Sequence, residues 1–446
     1  MDPSRDRALE VLIRWERRGS PVDPLFHRLV EGAADLDRRD KALARELVYG
    51  VLRWLSKLDY ALERFSSRRL RRLNPVVRNA LRLGAYQLLM LDRIPPWAAV
   101  SESVELVKAR GVPHAAGFVN AVLRALERGR DSLRFDAPDE LSRLALKWAH
   151  PLWLVKRWVG RWGLQEAEEL LKASNAIPPF AIRVNPLRSN REELLDRLQE
   201  EGFSPKPTPH SPWGIIVEEP EGLLESDVFE AGLFQVQDEG AQLVGWLLTP
   251  QPGDRVLDLC AAPGGKTTHL AEMMGDQGDI VAVDVNPRKL KLLRENCRRL
   301  GISIVRPLRY DARRPLPLPE KGFDRVLVDA PCTGLGVLRR NPDTKWRVRE
   351  GDPERLSRLQ LNILEQGAKM VRPQGMLLYS TCTLTEEENE EVVKRFLQEN
   401  PFELADPRPF FPEIRDFFTS EGFFLALPHR HGTDGFFAAL FRRLEA

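Results

Sequence analysis

The sequence lacks any apolar run of 18 or more residues, the length needed to span a bilayer as a helix. Its first segment, MDPSRDRALEVLIRW, also lacks the unbroken apolar core of a signal peptide, because charged residues divide it. We therefore expect neither a membrane-spanning helix nor a signal peptide, and we expect a cytoplasmic protein. The 446 residues predict two to four domains, and nothing in them indicates an obligate oligomer, so we expect a monomer.

Cysteine is scarce, and its spacing excludes the usual cysteine-based structural sites. The four cysteines stand at positions 260, 297, 332 and 382, without a C-x-x-C pair or a histidine at zinc-site spacing. We therefore expect no metal. A disulfide framework is not expected either, because intracellular compartments keep thiols reduced. The cysteines are then packing or reactive thiols, and Cys297, inside the helical stretch RENCRRLG, is predicted to pack.

The sequence has little net charge, +2, but the charge is unevenly distributed. Residues 1–130 contain 25 Lys and Arg against 16 Asp and Glu. Within them, residues 53–78 hold eight basic and two acidic side chains, including Arg68, Arg69, Arg71 and Arg72. Such a surface suits a phosphate backbone, although an ordinary solvated helix face explains it equally well.

The first 130 residues predict an all-α domain. Apolar residues recur at three and four residue spacing in RALEVLIRWERR, KALARELVYGVLRWLSKLDYALERF and VVRNALRLGAYQLLMLDR. Ser101 is predicted to cap the helix that follows PPWAAV.

Residues 131–235 predict a second region, small and of α+β type. A helical stretch is followed by the strand PFAIRVNPL, the helix NREELLDRLQEEGF and the strand WGIIVEE. Four tryptophans alternate with basic residues in the helical stretch, at positions 148, 153, 158 and 162. Base stacking is one interpretation, but this spacing favours core packing.

From residue 236 to 446 the pattern changes to alternating strands and helices. Strand-like runs such as RVLDLC, DIVAVDV, DRVLVDA and GMLLYST alternate with amphipathic segments such as PRKLKLLRENCRRLG and EEENEEVVKRFLQEN. This alternation predicts a parallel, Rossmann-like α/β sheet covered by helices on both faces. The final runs GFFLALPHR and GFFAALFRR predict an antiparallel hairpin that closes the domain.

The stretch VLDLCAAPGGKTTHLAE predicts a strand, a turn of small residues and a helix start. Its residues Gly265, Lys266 and Thr267 match the end of the phosphate-loop motif G-x-x-x-x-G-K-[ST]. However, Cys260 occupies the position of that motif's first glycine. What remains is a turn whose small residues let the backbone approach a ligand beyond the carboxyl end of a strand.

Two aspartates at the ends of the next predicted strands suggest what that ligand is. Asp284 lies 20 residues after Gly264, the spacing at which a carboxylate reaches ribose hydroxyls. Asp311, after the third strand, is placed for the amino group of an adenine. Because no G-x-G-x-x-G occurs, NAD and FAD are disfavoured, and an adenosine ligand without phosphates fits better. This points to S-adenosylmethionine and methyl transfer.

The motifs DLCAAPGGKT, VDVNPRKL, DAPCTGLGVLRRNPDTKW and YSTCTLTEEENEE resemble, in order, those of RNA cytosine-5 methyltransferases of the NOP2/Sun class. The resemblance covers residues 236–446. The helical start, with ARELVYGVLRWL, LRLGAYQLL and GFVNAVLRAL, is similar to the NusB-type RNA-binding fold. This pairing resembles the bacterial small-subunit enzymes, and it implies 16S ribosomal RNA, protein-free or partly assembled into the subunit, as the partner.

The resemblance also implies roles for the thiols. Carbon 5 of cytosine is a poor nucleophile, so a thiolate must first add at carbon 6. By resemblance Cys382 is that nucleophile and Cys332 assists release of the adduct. DNA cytosine-5 methyltransferases use a Pro-Cys nucleophile, so the reverse assignment stays open. Asp329 is expected to hydrogen-bond the ring near nitrogen 3.

The resemblance further implies a set of binding residues. Those expected around the cofactor are Cys260, Ala261, Ala262, Pro263, Gly264, Gly265, Lys266, Asp284, Arg288, Asp311 and Asp329, although Arg288 fits an ordinary solvent-facing position equally well. The residues expected to contact RNA phosphates are Arg68, Arg69, Arg71, Arg72, Arg339, Arg340 and Lys345. The last three are equally explained as ordinary surface charges.

Three other functions remain open. The substrate could be transfer RNA or another RNA, or it could be DNA, and the basic N-terminal region favours RNA without choosing among RNAs. A NusB-like scaffold fused to a degenerate methyltransferase is the non-enzymatic alternative. The intact Cys332, Cys382 and Asp329 argue against it.

Overall fold

The computed structural model describes residues 2–445, which form two compact units. The first unit runs to Ala176 and also includes Leu338–Glu350. The second consists of Ile177–Val337 and the chain from Gly351 onwards. The sequence had suggested boundaries at 130/131 and 235/236. The middle region is therefore divided: residues 131–176 belong to the first unit, and residues 177–235 belong to the second.

The first unit is all-α, as predicted. Its helices before Ala176 are α1 (Pro3–Arg18), α2 (Val22–Phe26), α3 (Arg38–Arg53), α4 (Leu55–Phe65), α5 (Pro75–Met90), α6 (Pro96–Ala109), α7 (Ala116–Gly129), α8 (Glu140–Lys147), α9 (Leu152–Trp162) and α10 (Leu164–Ala173). Asp2, Asp37 and Asn74 accept backbone N–H bonds at the starts of α1, α3 and α5, satisfying donors that a helix leaves free.

Two local predictions in this unit have different outcomes. The predicted cap at Ser101 is wrong, because α6 begins five residues earlier, at Pro96, whose fixed backbone angle suits a first helical position. Core packing of the tryptophans is confirmed for Trp158, which is fully buried and lies 6.5 Å from the ring of Trp162.

The second unit begins with a small antiparallel sheet. Its strand order is β2-β3-β1-β4, with β1 (Phe180–Val184), β2 (Ser204–Pro207), β3 (Gly214–Glu218) and β4 (Phe234–Val236). The helices α11 (Arg191–Glu200) and α12 (Asp227–Glu230) accompany it. The predicted β1, α11 and β3 are confirmed. Strand β2 was not predicted, because its segment SPKP contains two prolines, which only an edge strand tolerates.

The larger sheet carries the predicted parallel arrangement. Its path runs β10-β12-β9-β8-β5-β6-β7, and β11 pairs with β12. The strands are β5 (Arg255–Leu259), β6 (Asp279–Asp284), β7 (Val305–Arg309), β8 (Phe323–Asp329), β9 (Val371–Thr381), β10 (Phe402–Leu404), β11 (Phe424–Ala426) and β12 (Phe436–Arg443). Strands β5 to β9 pair in parallel, and β11 with β12 forms the predicted antiparallel closure.

Helices cover both faces of this sheet, as the strand residues indicate. Val256 packs into one apolar layer with Leu270 and Leu293, while its neighbour Leu257 packs into the opposite layer with Ile363. The remaining helices are α13 (Glu239–Leu247), α14 (Gly265–Met273), α15 (Pro287–Leu300), α16 (Thr344–Arg347), α17 (Asp352–Met370), α18 (Glu390–Glu399) and α19 (Pro428–His431). Across residues 2–445, every helix is too short or too polar to cross a membrane.

The segment Leu338–Glu350, which contains α16, is a late part of the chain that belongs to the first unit. The Lys345 ammonium donates to the carbonyl of Arg53 and to Oδ1 of Asn175, both at 2.9 Å. The indole of Trp346 donates to the carbonyl of Leu52 at 2.6 Å. These buried bonds anchor the segment among the helices.

Candidate active site

The candidate site lies at the carboxyl edge of the parallel sheet. Leu259 at the end of β5 pairs with Val283 on β6 and with Val328 on β8. Asp329 at the end of β8 pairs with Ser380 on β9. Because these strands run in the same direction, the residues at or beyond their ends meet at one edge. Those residues are Cys260, Asp284, Asp329 and Cys382.

The turn between β5 and α14 is shaped by residues with left-handed backbone angles. Cys260 has φ 65° and Gly264 has φ 105°. A Cβ added to Gly264 would lie 2.3 Å from Cδ1 of Leu293, so only glycine fits there. Asp284 accepts from the backbone N–H of Ala262 at 3.2 Å, which fastens the turn to the end of β6.

A charged group connects this turn to β8. The Lys266 ammonium donates to Oδ2 of Asp329 at 2.8 Å, and the Ser380 hydroxyl donates to Oδ1 at 2.9 Å. Burial by itself would lower the pKa of Lys266, but the attraction of Asp329 outweighs it and the pKa is raised. Lys266 therefore carries a positive charge that holds the Asp329 carboxylate in place.

Two thiols face each other beside this carboxylate. The Sγ atoms of Cys332 and Cys382 are 3.3 Å apart, and both cysteines are free and half-buried. The hydrogen bond to Cys382, together with burial, raises the pKa of Cys332 well above its usual value. Cys332 is therefore held as a neutral thiol, able to donate a hydrogen bond to a neighbouring sulfur or to a bound group.

The other two cysteines have environments that suppress reactivity. Burial raises the pKa of Cys260, and the nearby carboxylates of Asp329 and Asp284 raise it further. Cys297 is buried, as predicted, and burial raises its pKa to about 12. Thiolates are the reactive form of cysteine, so neither side chain is a good nucleophile.

One buried carboxyl group completes the base of the turn. Asp258, on β5, is 1% exposed and accepts from the hydroxyl of Thr267 at 2.6 Å. Burial raises the pKa of Asp258 to about 7, and the charge of nearby Asp329 contributes to the shift.

Asp311 and Arg288, both expected at the cofactor, lie in more exposed surroundings. Asp311 follows β7 by two residues, and its carboxylate binds the guanidinium of Arg313 at 2.6 Å. This hydrogen bond lowers the pKa of Asp311 to about 2. Arg288 is exposed in the first turn of α15.

The predicted RNA contacts divide into exposed and buried groups. Arg68, Arg69, Arg71 and Arg72 are all exposed in the first unit, between α4 and α5. In contrast, Arg339 is 5% exposed and Lys345 is 1% exposed, while Arg340 is half-buried. Burial lowers the pKa of Lys345 well below its usual value, and the positive charge of Arg53 adds to this effect. The expected phosphate contact at Lys345 is therefore corrected, because its ammonium is used inside the protein.

Several side chains near the thiols and the cofactor turn were not predicted from the sequence. Ser380 was not singled out, although it is the serine of the motif that contains Cys382. Val285, 57% exposed directly after Asp284, was also overlooked. Glu388 and Asn389 were assigned to an amphipathic helix, but α18 begins only at Glu390 and both residues are fully buried in the preceding turn.

A doubly wound sheet with a glycine-containing turn after β5 and a carboxylate at the end of β6 defines the class of Rossmann-like methyltransferases. Comparison with family models agrees. Residues 245–442 match the 16S rRNA methyltransferase RsmB/F model, residues 2–128 match the NusB family, and residues 150–223 match the ferredoxin-like domain of RsmF/B-like methyltransferases.

Individual relatives extend the match over the whole chain. The chain is 39% identical to the probable ribosomal RNA small subunit methyltransferase B of Bacillus subtilis (strain 168), covering 98% of each protein. It is 31% identical to the crystal structure of PH0851, with a TM-score of 0.84 and 99% of each chain covered. The structure of NSun6 from Pyrococcus horikoshii with SFG is 26% identical, with a TM-score of 0.57, over 65% of this chain and 97% of that one.

The chain belongs to the 16S rRNA methyltransferase RsmB/F family. The predicted NusB-like domain and the predicted methyltransferase domain are thereby confirmed. Strands β1, β2 and β3 of the small antiparallel sheet lie within the residues that match the ferredoxin-like domain of that family, and β4 follows after them.

Proposed function

We propose that this protein transfers a methyl group from S-adenosylmethionine to carbon 5 of a cytosine in 16S ribosomal RNA, through a covalent adduct between Cys382 and carbon 6. The single observation that carries the proposal is the pair of thiols 3.3 Å apart at the sheet edge, next to Asp329. The relative from Bacillus subtilis is named for methylation of the small ribosomal subunit RNA, which supports the choice of substrate.

The residues at the ends of β5 and β6 fit S-adenosylmethionine. The turn from Cys260 to Lys266 offers small residues and backbone groups to a ligand, and Asp284 offers a carboxylate to ribose hydroxyls. Val285 adds an exposed apolar surface against which an adenine ring can pack. The structure of the relative NSun6 was determined with the S-adenosylmethionine analogue SFG, which supports S-adenosylmethionine as the cofactor. When bound, S-adenosylmethionine supplies a methyl group on a positively charged sulfur.

The protein's own residues activate the cytosine. The thiolate of Cys382 forms a bond to carbon 6, which makes carbon 5 nucleophilic enough to take the methyl group. Asp329, oriented by Lys266 and Ser380, accepts a hydrogen bond from the 4-amino group of the cytosine, beside nitrogen 3, and so fixes the ring relative to the thiols. Carbon 5 then loses its proton to a water molecule, the electron pair of that bond restores the double bond between carbons 5 and 6, and Cys382 leaves as a thiolate. Cys332 assists this elimination by donating a hydrogen bond to the departing sulfur.

The roles of the two thiols rest on their environments as well as on the resemblance. Because Cys332 has a raised pKa, it stays protonated, and a protonated thiol suits an assisting role better than a nucleophilic one. The reverse assignment, with Cys332 as nucleophile, requires the half-buried Cys332 to lose its proton although its pKa is raised.

The exposed arginines 68, 69, 71 and 72 of the first unit are proposed to bind RNA phosphates. They supply charge without sequence readout, so recognition of one cytosine must come from elsewhere. The target cytosine has to be single-stranded or extruded from a helix to reach the thiols.

Methyl transfer from labelled S-adenosylmethionine tests the proposal. Protein-free 16S ribosomal RNA, 23S ribosomal RNA and transfer RNA would each be incubated with the protein, digested to nucleosides and separated. We expect label in 5-methylcytidine from 16S ribosomal RNA. Label in another nucleoside would refute the carbon 5 chemistry, label mainly in transfer RNA would change the substrate, and no transfer would favour the scaffold function.

A further inference from the structure

Two polar residues, Glu388 and Asn389, lie behind the thiols in the turn before α18. Both side chains are 0% exposed, and every element they contact belongs to the second unit. Their sequence, in TEEENEE, resembles an exposed charged helix start. The structure instead places them where burial of a carboxylate is costly unless hydrogen bonds compensate for it.

Glu388 fixes the residues on each side of Cys332. Its Oε1 accepts from the backbone N–H of Thr333 at 2.8 Å, and its Oε2 accepts from the Thr333 hydroxyl at 2.5 Å. Gln360 donates to Oε1 of Glu388 at 2.9 Å and to the carbonyl of Pro331 at 3.0 Å. Pro331 and Thr333 are the chain neighbours of Cys332, so this network holds the backbone on both sides of the thiol.

Asn389 holds the backbone on both sides of Cys382. Its Oδ1 accepts from the Thr381 hydroxyl at 2.6 Å, and its Nδ2 donates to the carbonyl of Thr383 at 3.0 Å. These threonines flank Cys382. The hydroxyls of Thr333 and Thr383 are 2.7 Å apart, which joins the two loops directly.

The turn itself is attached to β9. The Tyr379 hydroxyl donates to the backbone carbonyl of Glu388 at 2.5 Å. The Thr385 hydroxyl donates to Oε2 of Glu388 at 2.7 Å, closing the turn from the other side. The buried pair Glu388 and Asn389 is therefore contacted by β9, by a side chain of α17 and by the two loops that carry the thiols.

We propose that Glu388 and Asn389 are positioning residues, which set the separation of the Cys332 and Cys382 sulfurs by holding the chain on both sides of each thiol. The catalytic part of this inference rests on the proposed function. A buried polar network is seldom the most stable packing, since apolar side chains of similar volume often stabilise a protein more. What such a network supplies is a fixed geometry, and small displacements of reacting groups reduce rates strongly.

Two substitutions at Glu388 distinguish the effect of losing its hydrogen bonds from the effect of losing its charge. Glu388→Ala removes four hydrogen bonds, and we expect kcat for methyl transfer to fall about 100-fold. The KM for RNA and the Kd for S-adenosylmethionine should stay within about threefold, because the cofactor turn is not part of the network.

Glu388→Gln should restore most of the activity, to within about fivefold of wild type. The glutamine oxygen can accept from Thr333 and Gln360, and the threonine hydroxyls can accept from the glutamine amide, because a hydroxyl donates or accepts. Glu391→Gln is the matched control. Glu391 lies one residue into α18, partly exposed in an ion pair with Arg395, and its substitution should change nothing.

A second readout measures thiol placement without methyl transfer. Oxidised glutathione converts the two thiols of Cys332 and Cys382 into one disulfide, while it is itself reduced to two glutathione thiols. The rate of this cross-link, followed by peptide mass, should fall about tenfold in Glu388→Ala and be wild-type in Glu391→Gln. Thr333→Val, which removes only a hydroxyl, provides a milder variant if Glu388→Ala does not fold, and it should slow both reactions.

Methyl transfer and disulfide formation together show whether the proposed function or the positioning role has failed. Slower cross-linking by these variants together with no methyl transfer by wild type would leave the positioning role in place and refute the proposed function. Folded Glu388→Ala or Thr333→Val protein that cross-links and transfers methyl at wild-type rates would overturn the positioning role. Loss of cofactor affinity in parallel with kcat, without rescue by Glu388→Gln, would also overturn it, because that result indicates general structural damage.

Discussion

At the scale of single residues, the environment distinguishes cysteines that have the same chemistry. Desolvation and nearby carboxylates raise the pKa values of Cys260 and Cys297, and the pKa of Cys332 is raised as well. What distinguishes Cys332 and Cys382 is that their sulfurs are 3.3 Å apart. The sequence could suggest the last two as reactive, because each sits in a distinctive motif. It could not show that the two loops converge, because that depends on the pairing of β8 with β9.

Asp329 offers a direct residue-scale prediction. Asp329→Asn should lower kcat about 100-fold, since the neutral amide loses the charge-assisted hydrogen bond with Lys266 that orients this side chain towards the cytosine. Single-turnover methyl transfer would measure the effect. Asp324→Asn is the control, because Asp324 lies on the same strand, pairs with Arg372 at 2.7 Å and is remote from the thiols along β8. Equal losses in the two variants would contradict the role given to Asp329.

Asp258 predicts a pH dependence of stability. Its pKa is about 7 in the folded protein, above the ordinary value that it has when unfolded, so the folded state binds the extra proton between about pH 4 and 7. Its contribution to stability is therefore present below pH 4 and is lost as the pH rises through 7, by at most about 4 kcal/mol.

The variant Asp258→Asn has no such proton to lose. The melting temperature of the variant relative to wild type should therefore rise between pH 4 and 7.5. Scanning calorimetry over that range would measure it. A constant difference between the two proteins would contradict the raised pKa.

At the scale of elements, periodicity predicted the strands and helices whose apolar faces are regular. It failed where tertiary contacts override the local pattern. The run TEEENEE looks like an exposed helix start, yet its Glu388 and Asn389 are buried because hydrogen-bond partners from other elements surround them. Likewise, β2 has no strand-like composition and exists because β3 pairs with its edge. No local signal encodes such partners.

The turn before α14 gives an element-scale prediction. Gly264→Ala should weaken S-adenosylmethionine binding at least tenfold, because a Cβ would lie 2.3 Å from Cδ1 of Leu293 at a left-handed position. Gly275→Ala is the matched control. Gly275 also has a left-handed angle, φ 63°, but a Cβ there meets nothing within 4 Å, so only about 1 kcal/mol of stability should be lost. Calorimetric titration with S-adenosylmethionine would compare the two, and equal affinities would contradict the account.

At the scale of the whole molecule, the charge asymmetry in the sequence has a structural counterpart in the first unit. The exposed arginines 68, 69, 71 and 72 sit together in the chain between α4 and α5. Lys345 was also predicted to contact RNA, but it is buried. A basic residue in a charged stretch of sequence gives no sign of whether its side chain is buried. The partners of Lys345 are Arg53 and Asn175, which are distant in sequence.

The salt dependence of RNA binding tests this distinction. Replacing the four exposed arginines with alanine should make the slope of log affinity against log salt shallower by about 3, because each phosphate contact contributes about 0.7 to 0.9 to that slope. Lys345→Gln should leave the slope unchanged and lower the melting temperature instead. Filter binding to protein-free 16S ribosomal RNA would measure the slopes. A shallower slope in Lys345→Gln would contradict its structural role, and an unchanged slope in the arginine variant would place the phosphate contacts elsewhere.

The covalent adduct between protein and RNA is the most direct test of the central claim. Cys332→Ala and Cys382→Ala proteins would be incubated with 16S ribosomal RNA and S-adenosylmethionine, denatured, and analysed for RNA attached to protein. We predict that Cys332→Ala accumulates an adduct whose cross-linked peptide contains Cys382, and that Cys382→Ala forms none and transfers no methyl. An adduct through Cys332 in the Cys382→Ala protein, or full methyl transfer by that protein, would contradict the account.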